Sequence, residues 1–331
     1  MWRMEEQRRK QSVLMEHVAS MEFYQKDNEQ PVQVFQDLNF EALEGEIWAI
    51  IGNKAFEVRL FLEIVANARP YKDGRCVLNE TGMMRKKRLI LPHVYYIGST
   101  NMMFENMSVL EYLTFITAKE PGSIDERKHQ IAKDLLDVNL GYLSEREIST
   151  LTPPEKSVVE LMAGYYTESK LIIWNLARLY YDEKCILAIQ TICQELQRQK
   201  RTLLFSSFDY KMIEACATHI SPLYDGRFLC NSPVQDFIKT WDHLCAIIRD
   251  DRAKEMEEYL MKTMPDYEYR RNGNRLEVWD QHNNIAGYDA ICATLGKNYY
   301  YPKFIEQHPY CVENAWKEIV YQYEQNSKTN G

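Results

Sequence analysis

The stretch around residue 50 restricts what this chain can fold into more than any other part of the sequence. An apolar run at 47–51 is followed by Gly52 and then by apolar residues at helical spacing. The apolar positions of that helical pattern are Val58, Phe61, Leu62 and Val65. A buried strand, a glycine turn and a helix in this order are the frame of a phosphate-binding loop, and they predict an α/β fold.

Length and charge exclude several classes of protein. The chain has 331 residues and a formal net charge of -8. The length predicts two domains, and the negative charge argues against nucleic acid as the main partner. No apolar run reaches the length of a membrane-spanning helix, and the charged segment 1–10 lacks the apolar core of a secretory signal. We therefore expect a cytoplasmic protein.

Cysteine and histidine spacing predicts no metal site. The eight cysteines form no C-x-x-C pair, and the seven histidines form no H-x-x-x-H pair. Cys216 and His219 share a predicted helix face, but no third ligand lies near them, so packing is the favoured interpretation. The sequence predicts reduced thiols.

The remaining pattern alternates short apolar strands with longer helices. Residues 1–19 are predicted to form a leading helix, and 20–24 and 32–42 alternate apolar and polar residues as half-buried strands do. After a polar loop at 70–74, strands are predicted at 76–78, 94–97, 171–174, 202–205 and 220–229, the last pair of strands turning at Asp225-Gly226. Helices are predicted at 109–117, 125–138, 155–165, 184–199 and 211–216.

This alternation predicts a P-loop NTPase-like, mostly parallel sheet with helices on both faces and an antiparallel side sheet. The domain is expected to span 20–238, with a helical subdomain at about 107–165. A break falls near residue 240. Residues 239–331 are predicted to form a small C-terminal α/β extension with a hairpin about Asn272-Gly273.

The order of these elements resembles the nucleotide-binding domain of an ABC transporter over about 20–235. The segments that carry the resemblance are 34–40, 45–52, 107–113, 168–175, 203–207 and 225–227. The tail at 311–316 is similar to the C-terminal extension of the drug and polysaccharide exporter class. The family binds ATP and Mg²⁺. The resemblance implies which residues of this chain stand at the positions that bind them in the family.

The phosphate loop implied by the resemblance has lost its phosphate chemistry. Its positions are Gly52, Asn53, Lys54, Ala55, Phe56, Glu57, Val58 and Arg59. A working loop has glycine at the position of Glu57, lysine at that of Val58 and a hydroxyl at that of Arg59. A carboxylate about 4 Å from a phosphate repels it by about 1 to 4 kcal/mol for each like-charge pair. Micromolar binding of ATP has a free energy of about 8 kcal/mol, so a few such repulsions can remove it. Arg59 as a substitute for the lysine, and Gly52 as a simple strand end, are the two alternatives.

The catalytic positions implied by the resemblance are also changed. The Mg²⁺ ligand falls at Asn175 and the general base at Leu176, where an amide is a weak ligand and an alkyl group accepts no proton. The γ-phosphate sensor falls at Ser99 and the switch histidine at Phe208. The adenine-stacking aromatic falls at Tyr24, or at Phe23 beside it, although packing in an aromatic-rich strand is the favoured interpretation of both rings.

The family signature stands here as Leu151-Thr152-Pro153-Pro154-Glu155. In the family it contacts the phosphate held by the opposite subunit through a hydroxyl, main-chain N–H groups and a helix N-terminus. Pro153 and Pro154 have no N–H group and cannot adopt positive φ. Thr152 and the helix dipole are left as a weak anion site.

These losses predict a pseudo-ATPase. The chain is interpreted as a catalytically inactive ABC-type subunit at the cytoplasmic face of the membrane. It would pair with an ATPase homologue, as a homodimer or heterodimer, with a membrane permease, or with both. No cofactor is expected, with ATP and Mg²⁺ only if the divergent loop still binds them. One alternative is an active exporter ATPase that uses Arg59 and Asp182. The other is a soluble regulator without a membrane partner.

Overall fold

The structure is a computed structural model. It describes residues 10–23, 32–82, 93–98, 103–176, 179–280, 287–307 and 310–329. The chain divides into two compact units, Met1–Pro233 and Val234–Gly331. The predicted boundary between 238 and 239 lies inside a helix of the second unit, Val234–Trp241.

The first unit contains thirteen strands and six helices among its described residues. Its strands are β1 (Gln11–Ser20), β2 (Glu22–Phe23), β3 (Val32–Gln33), β4 (Leu38–Leu43), β5 (Ile47–Gly52), β6 (Tyr71–Leu78), β7 (Thr81–Gly82), β8 (Val94–Ile97), β9 (Leu171–Asn175), β10 (Thr202–Ser206), β11 (His219–Tyr224), β12 (Arg227–Phe228) and β13 (Ser232–Pro233). Its helices are α1 (Ala55–Val65), α2 (Val109–Ile116), α3 (Ile124–Asp137), α4 (Pro153–Tyr165), α5 (Glu183–Arg198) and α6 (Tyr210–Cys216).

The central sheet has the order β12-β11-β5-β10-β9-β8, and β13 pairs with β11. All pairs from β11 to β8 are parallel, whereas β12 and β13 are antiparallel to β11. Every residue of β5, β9 and β10 is buried, as expected for parallel strands covered on both faces. The predicted mostly parallel sheet is confirmed.

The predicted leading helix is wrong where the structure describes it, because Gln11–Ser20 is strand β1. β1 lies between β4 and β6 in an antiparallel sheet of order β4-β1-β6-β7. Pairing on both edges outweighs the weak helical preference of this mixed-charge segment. Residues 1–9 lie outside the described part.

The polar loop predicted at 70–74 is the first half of β6. Its Ser20–Tyr71 and Ala19–Asp73 pairings with β1 continue the ladder, while Lys72, Asp73 and Gly74 are exposed. Because the side chains in this half of the strand face water, it has no apolar pattern, and the sequence therefore predicts a loop.

The helical subdomain comprises α2, α3 and α4 with two short 3-10 turns, Gly141–Leu143 and Ile148–Thr150. A capping box begins α2: the Ser108 hydroxyl accepts the Glu111 N–H, and the Glu111 carboxylate accepts the Ser108 N–H.

Arg201 joins α4 to the central sheet. Its guanidinium group donates to the carbonyl oxygens of Gly164, Tyr165 and Ser169 at 2.9, 2.6 and 2.8 Å. Only 8% of the residue is exposed. Two of these bonds reach carbonyl groups at the carboxyl end of α4, where helical partners are missing, and the third reaches the segment between α4 and β9.

The second unit is a four-stranded antiparallel sheet with helices. Its strands are β14 (Leu244–Arg249), β15 (Tyr267–Asn272), β16 (Arg275–Asp280) and β17 (Phe304–Glu306), and its helices are α7 (Val234–Trp241), α8 (Ala253–Thr263), α9 (Gly287–Lys297) and α10 (Val312–Thr329). The sheet order β15-β16-β14-β17 and the chain order β-α-β-β-α-β are those of a ferredoxin-like unit. The hairpin predicted about Asn272-Gly273 joins β15 to β16, with Gly273 at φ 60°.

In the described part of the chain, no helix combines the length and apolar character needed to cross a bilayer.

We predict that Arg201→Ala lowers the free energy of unfolding of the first unit by about 2 to 4 kcal/mol, because three main-chain oxygens lose a charged donor. Urea denaturation followed by tryptophan fluorescence measures the change. Arg198→Ala is the matched control, since its side chain is 77% exposed, and it should change stability by less than about 0.5 kcal/mol. Equal effects of the two substitutions would contradict the role given to Arg201.

Candidate functional site

The candidate site lies where the carboxyl ends of parallel strands meet. β5 ends at Gly52, β9 at Asn175 and β10 at Ser206. Ser206 is paired with Asn175 on one side and with Ile50 on the other. Ligands of open α/β sheets bind outside this edge, so the structure brings the predicted phosphate loop and acidic strand to the expected place.

Gly52 is required by packing rather than by a ligand. A Cβ atom here would lie 2.8 Å from the Leu223 carbonyl oxygen of β11 and 2.8 Å from the Val58 Cγ2 atom of α1. Val58 is 4% exposed and belongs to the core between the sheet and α1. The aliphatic side chain at the lysine position is therefore turned into the protein interior.

Glu57 is buried in the first turn of α1. Its side chain is 8% exposed, its Oε2 atom accepts the Gly226 N–H at 3.1 Å, and its Oε1 atom lies 3.2 Å from the Lys54 ammonium nitrogen. Lys54 also donates to the Asp225 carboxylate at 2.7 Å. The hydrogen bond to Asp225 raises the pKa of Lys54, supported by the contact with Glu57, while burial opposes the rise.

The other loop positions show no phosphate-directed contact among the described residues. Asn53 and Ala55 are exposed, and Phe56 is partly buried. The Arg59 guanidinium lies 5.8 Å from the Phe56 ring centre and 3.8 Å from a Glu63 oxygen, both on α1. Arg59 is therefore engaged along its own helix, which does not support its use as a substitute for the lysine.

The two positions of the acidic strand are held inside the protein. Asn175 is 6% exposed; its amide donates to the Tyr96 hydroxyl at 3.3 Å, and its oxygen accepts from the Ser206 hydroxyl at 3.3 Å. Burial raises the pKa of Tyr96, and the bond with Asn175 opposes that rise. Leu176 is 7% exposed, and its N–H donates to Ser206. The amide thus links β8 to β10 across β9.

Asp182 is the carboxylate that the active-ATPase alternative requires, and it caps α5. Its side chain accepts the Cys185 N–H at 2.8 Å, and this bond is the main cause of its lowered pKa. Phe208 is partly buried two residues after β10. Ser99 and Tyr24 lie outside the described residues, as does the side chain of Phe23.

The signature segment caps its own helix. Thr152 is the N-cap of α4: its hydroxyl accepts the Glu155 N–H at 3.4 Å, and its own N–H donates to the Glu155 carboxylate at 2.8 Å. Pro153 and Pro154 have no N–H, and the Lys156 N–H is bonded to the Thr152 carbonyl oxygen. The Glu155 carboxylate also pairs with Arg146 at 2.8 Å. Every N–H group of this first turn is therefore absent or already bonded.

A cavity of about 300 Å³ joins the signature to the acidic strand within this chain. It is lined by Pro153 and Lys156 of α4 and by Asn175 and Leu176 at the end of β9, among other residues. Its size is at the lower limit for small-ligand pockets. Among the described residues, no group of three histidine, cysteine, aspartate or glutamate side chains is placed to hold a metal ion.

Sequence reasoning singled out the loop and signature positions but missed their partners. It did not anticipate the contacts of Glu57 with Gly226, of Lys54 with Asp225, or of Glu155 with Arg146. The contacts with Gly226 and Asp225 could have been suspected from the Asp225-Gly226 turn, because this turn follows β11, the strand that pairs with β5. Nothing in sequence spacing marks Arg146.

Together, the strand order and the arrangement at its carboxyl edge define a P-loop NTPase-type cassette. The first unit has the fold of an ABC transporter ATP-binding cassette domain, an assignment that comparison with solved structures supports. The chain is similar to cbiO1 of Clostridium perfringens, part of the ABC transporter complex cbiONQ, with a TM-score of 0.57 and 14% identity over 77% of this chain and 96% of that one. It is also similar to MJ0796, a bacterial ABC transporter cassette solved as a dimer, with a TM-score of 0.56 and 16% identity over 67% of this chain and 98% of that one.

Curated proteins match the chain at low identity, and the relatives below are named as ATP-binding export or import proteins or as an ABC transporter. The chain is 24% identical over 159 residues to the cytochrome c biogenesis ATP-binding export protein CcmA of Reclinomonas americana, covering 48% of this chain and 71% of the relative. It is 20% identical over 215 residues to the methionine import ATP-binding protein MetN 1 of Lactiplantibacillus plantarum, covering 63% of this chain and 61% of the relative. An ABC transporter A family member 8 of Dictyostelium discoideum is matched over only 24% of its length. No protein-family model matches the chain.

We predict that Thr152→Ala lowers the free energy of unfolding by about 1 kcal/mol, because α4 loses its N-cap oxygen. Thr152→Ser, which keeps the hydroxyl, should retain most of the stability. Chemical denaturation of the two variants and the wild type measures the difference. A Thr152→Ala protein as stable as the wild type would mean that the hydroxyl is not committed to the helix and is available to a phosphate.

Proposed function

We propose that the chain is a catalytically inactive ATP-binding-cassette subunit, which acts by binding partners rather than by hydrolysing ATP. The observation that carries the proposal is the state of the catalytic edge of the sheet. Asn175 is committed to Tyr96 and Ser206, and Leu176 is buried beside it. Phosphoryl transfer to water needs a metal-holding carboxylate and a residue that orients the water, and neither position supplies one.

The phosphate loop and the signature support the same proposal. Val58 faces the core, and Glu57 places a carboxylate among the donors of the loop. In the family that the chain resembles, each nucleotide lies between the loop of one subunit and the signature of the other. Because Pro153, Pro154 and the capping box leave no free N–H at this signature, both composite sites that include this chain are impaired.

The partners proposed are an ABC-type ATPase homologue and a membrane permease subunit, which would hold the chain at the cytoplasmic face of the membrane. An exposed aromatic pair on the helical subdomain supports a protein partner. The Phe104 and Phe115 rings are in edge contact at 5.4 Å and are 48% and 52% exposed. Exposed aromatic side chains are enriched at protein interfaces. We propose export as the direction, on the resemblance of 311–316 to the exporter class.

Mg-ATP should neither stabilise the purified chain nor be hydrolysed by it. A ligand at about a hundred times its Kd adds about 2.7 kcal/mol of stability, so thermal unfolding with and without Mg-ATP detects binding directly. An active cassette measured in parallel serves as the positive control. Saturable stabilisation would contradict the expected absence of nucleotide binding, and turnover that Asn175→Ala abolishes would contradict the proposed inactivity.

Phe104→Ser combined with Phe115→Ser should release the chain from a membrane partner while leaving it folded, because both rings are exposed. The experiment co-expresses the chain with a protein encoded in the neighbouring genes that has several hydrophobic spans of about 20 residues each, and measures the fraction sedimenting with membranes. Tyr299→Ser, at a 79% exposed tyrosine of the second unit, is the control and should still sediment. Unchanged sedimentation of the double variant would exclude this surface.

A further inference from the structure

The Glu57 carboxylate has the type of partners that a phosphate loop gives to a phosphate. One oxygen accepts a main-chain N–H, that of Gly226, and the other lies beside the ammonium group of Lys54. Main-chain N–H groups and a lysine are the donors that cradle phosphate oxygens in P-loops. The chain thus carries its own anion at the start of α1.

The donors that meet Glu57 are fixed by the surrounding structure. Gly226 has a φ of 74°, and a Cβ atom there would lie 2.1 Å from the Val34 carbonyl oxygen. The turn between β11 and β12 can therefore hold only glycine at this position, which fixes its N–H. Lys54 is held from the other side by Asp225 at 2.7 Å. We call Lys54, Glu57, Asp225 and Gly226 the Glu57 latch.

We propose that the Glu57 latch is an autoinhibitory contact, in which Glu57 serves as an internal anion that excludes external phosphate from the loop after β5. The inference rests on the proposed function, because it explains why a preserved loop frame takes no nucleotide. It adds that two donors, the Gly226 N–H and the Lys54 ammonium group, are present at the start of α1. Removing the Glu57 carboxylate leaves the Gly226 N–H without its acceptor and leaves Lys54 paired with Asp225 alone, so both groups can meet an anion from solution.

The latch is tested with inorganic pyrophosphate as the probe. Thermal unfolding of the wild type, Glu57→Ala and Glu57→Gln is measured against pyrophosphate, with sodium chloride at equal ionic strength as the reference. Glu63→Ala is the matched control, since Glu63 lies on the same helix but pairs with Arg59 and Arg69. Glu57→Gln keeps the side-chain size and decides the test if Glu57→Ala does not fold.

A variant without the Glu57 charge should unfold at a lower temperature than the wild type. Saturating pyrophosphate should then raise its Tm by about 5 to 10 °C at about a hundredfold excess over Kd. The wild type and Glu63→Ala should not respond.

Three results would overturn the latch. If the Glu57 variants and the wild type are all unresponsive to pyrophosphate, the latch is wrong but the inactive subunit stands. An equal response of Glu63→Ala and Glu57→Gln likewise rejects a specific role for Glu57. A response of the wild type to both pyrophosphate and Mg-ATP would reject the latch and the proposed function together.

Discussion

One buried carboxylate holds together the turns at the end of β5. Glu57 joins the first turn of α1 to the turn after β11, through the Gly226 N–H and through Lys54 and Asp225. A buried carboxylate is stable only where donors surround it, and these donors come from two elements that flank the end of β5. The loop is therefore organised around an acid of the chain itself, whereas a phosphate loop is organised around an acid of its ligand.

The signature segment repeats the same principle at a second helix. The Glu155 carboxylate bonds the Thr152 N–H and pairs with Arg146. Helix N-termini attract anions because their N–H groups lack partners. At α4 the Glu155 carboxylate answers that requirement from within the chain, because it accepts the N–H of the N-cap residue Thr152. At α1 the Glu57 carboxylate instead accepts the Gly226 N–H, which belongs to a neighbouring turn.

Much of the fold follows from the sequence, since β5, β9 and β10 are continuous apolar runs and α3, α4 and α5 have clear helical periods. β1 was predicted as a helix because its partners β4 and β6 are distant in the sequence, and pairing on both edges leaves no local signal. The ferredoxin-like topology of the second unit was also missed. Its strand β17 has three residues and carries no period of its own.

The sequence supports a prediction of the site positions through the family resemblance, but it carries no information about their contacts. The replacements Glu57, Val58, Asn175 and Leu176 can be read from the motif spacing, and the spacing implies repulsion of a phosphate by Glu57. The structure shows in addition that Glu57 is bonded at both oxygens, which depends on a residue 169 positions away. Long-range partners of this kind have no signature in a single sequence.

The most direct measurement is a crystal structure of the chain grown with millimolar Mg-ATP. The account predicts that the Glu57 carboxylate remains bonded to the Gly226 N–H and that no nucleotide is bound at the turn after Ile51. A triphosphate seated against that turn, with Glu57 displaced and the terminal phosphate neutralised by Lys54, Arg59 or a metal ion, would contradict it.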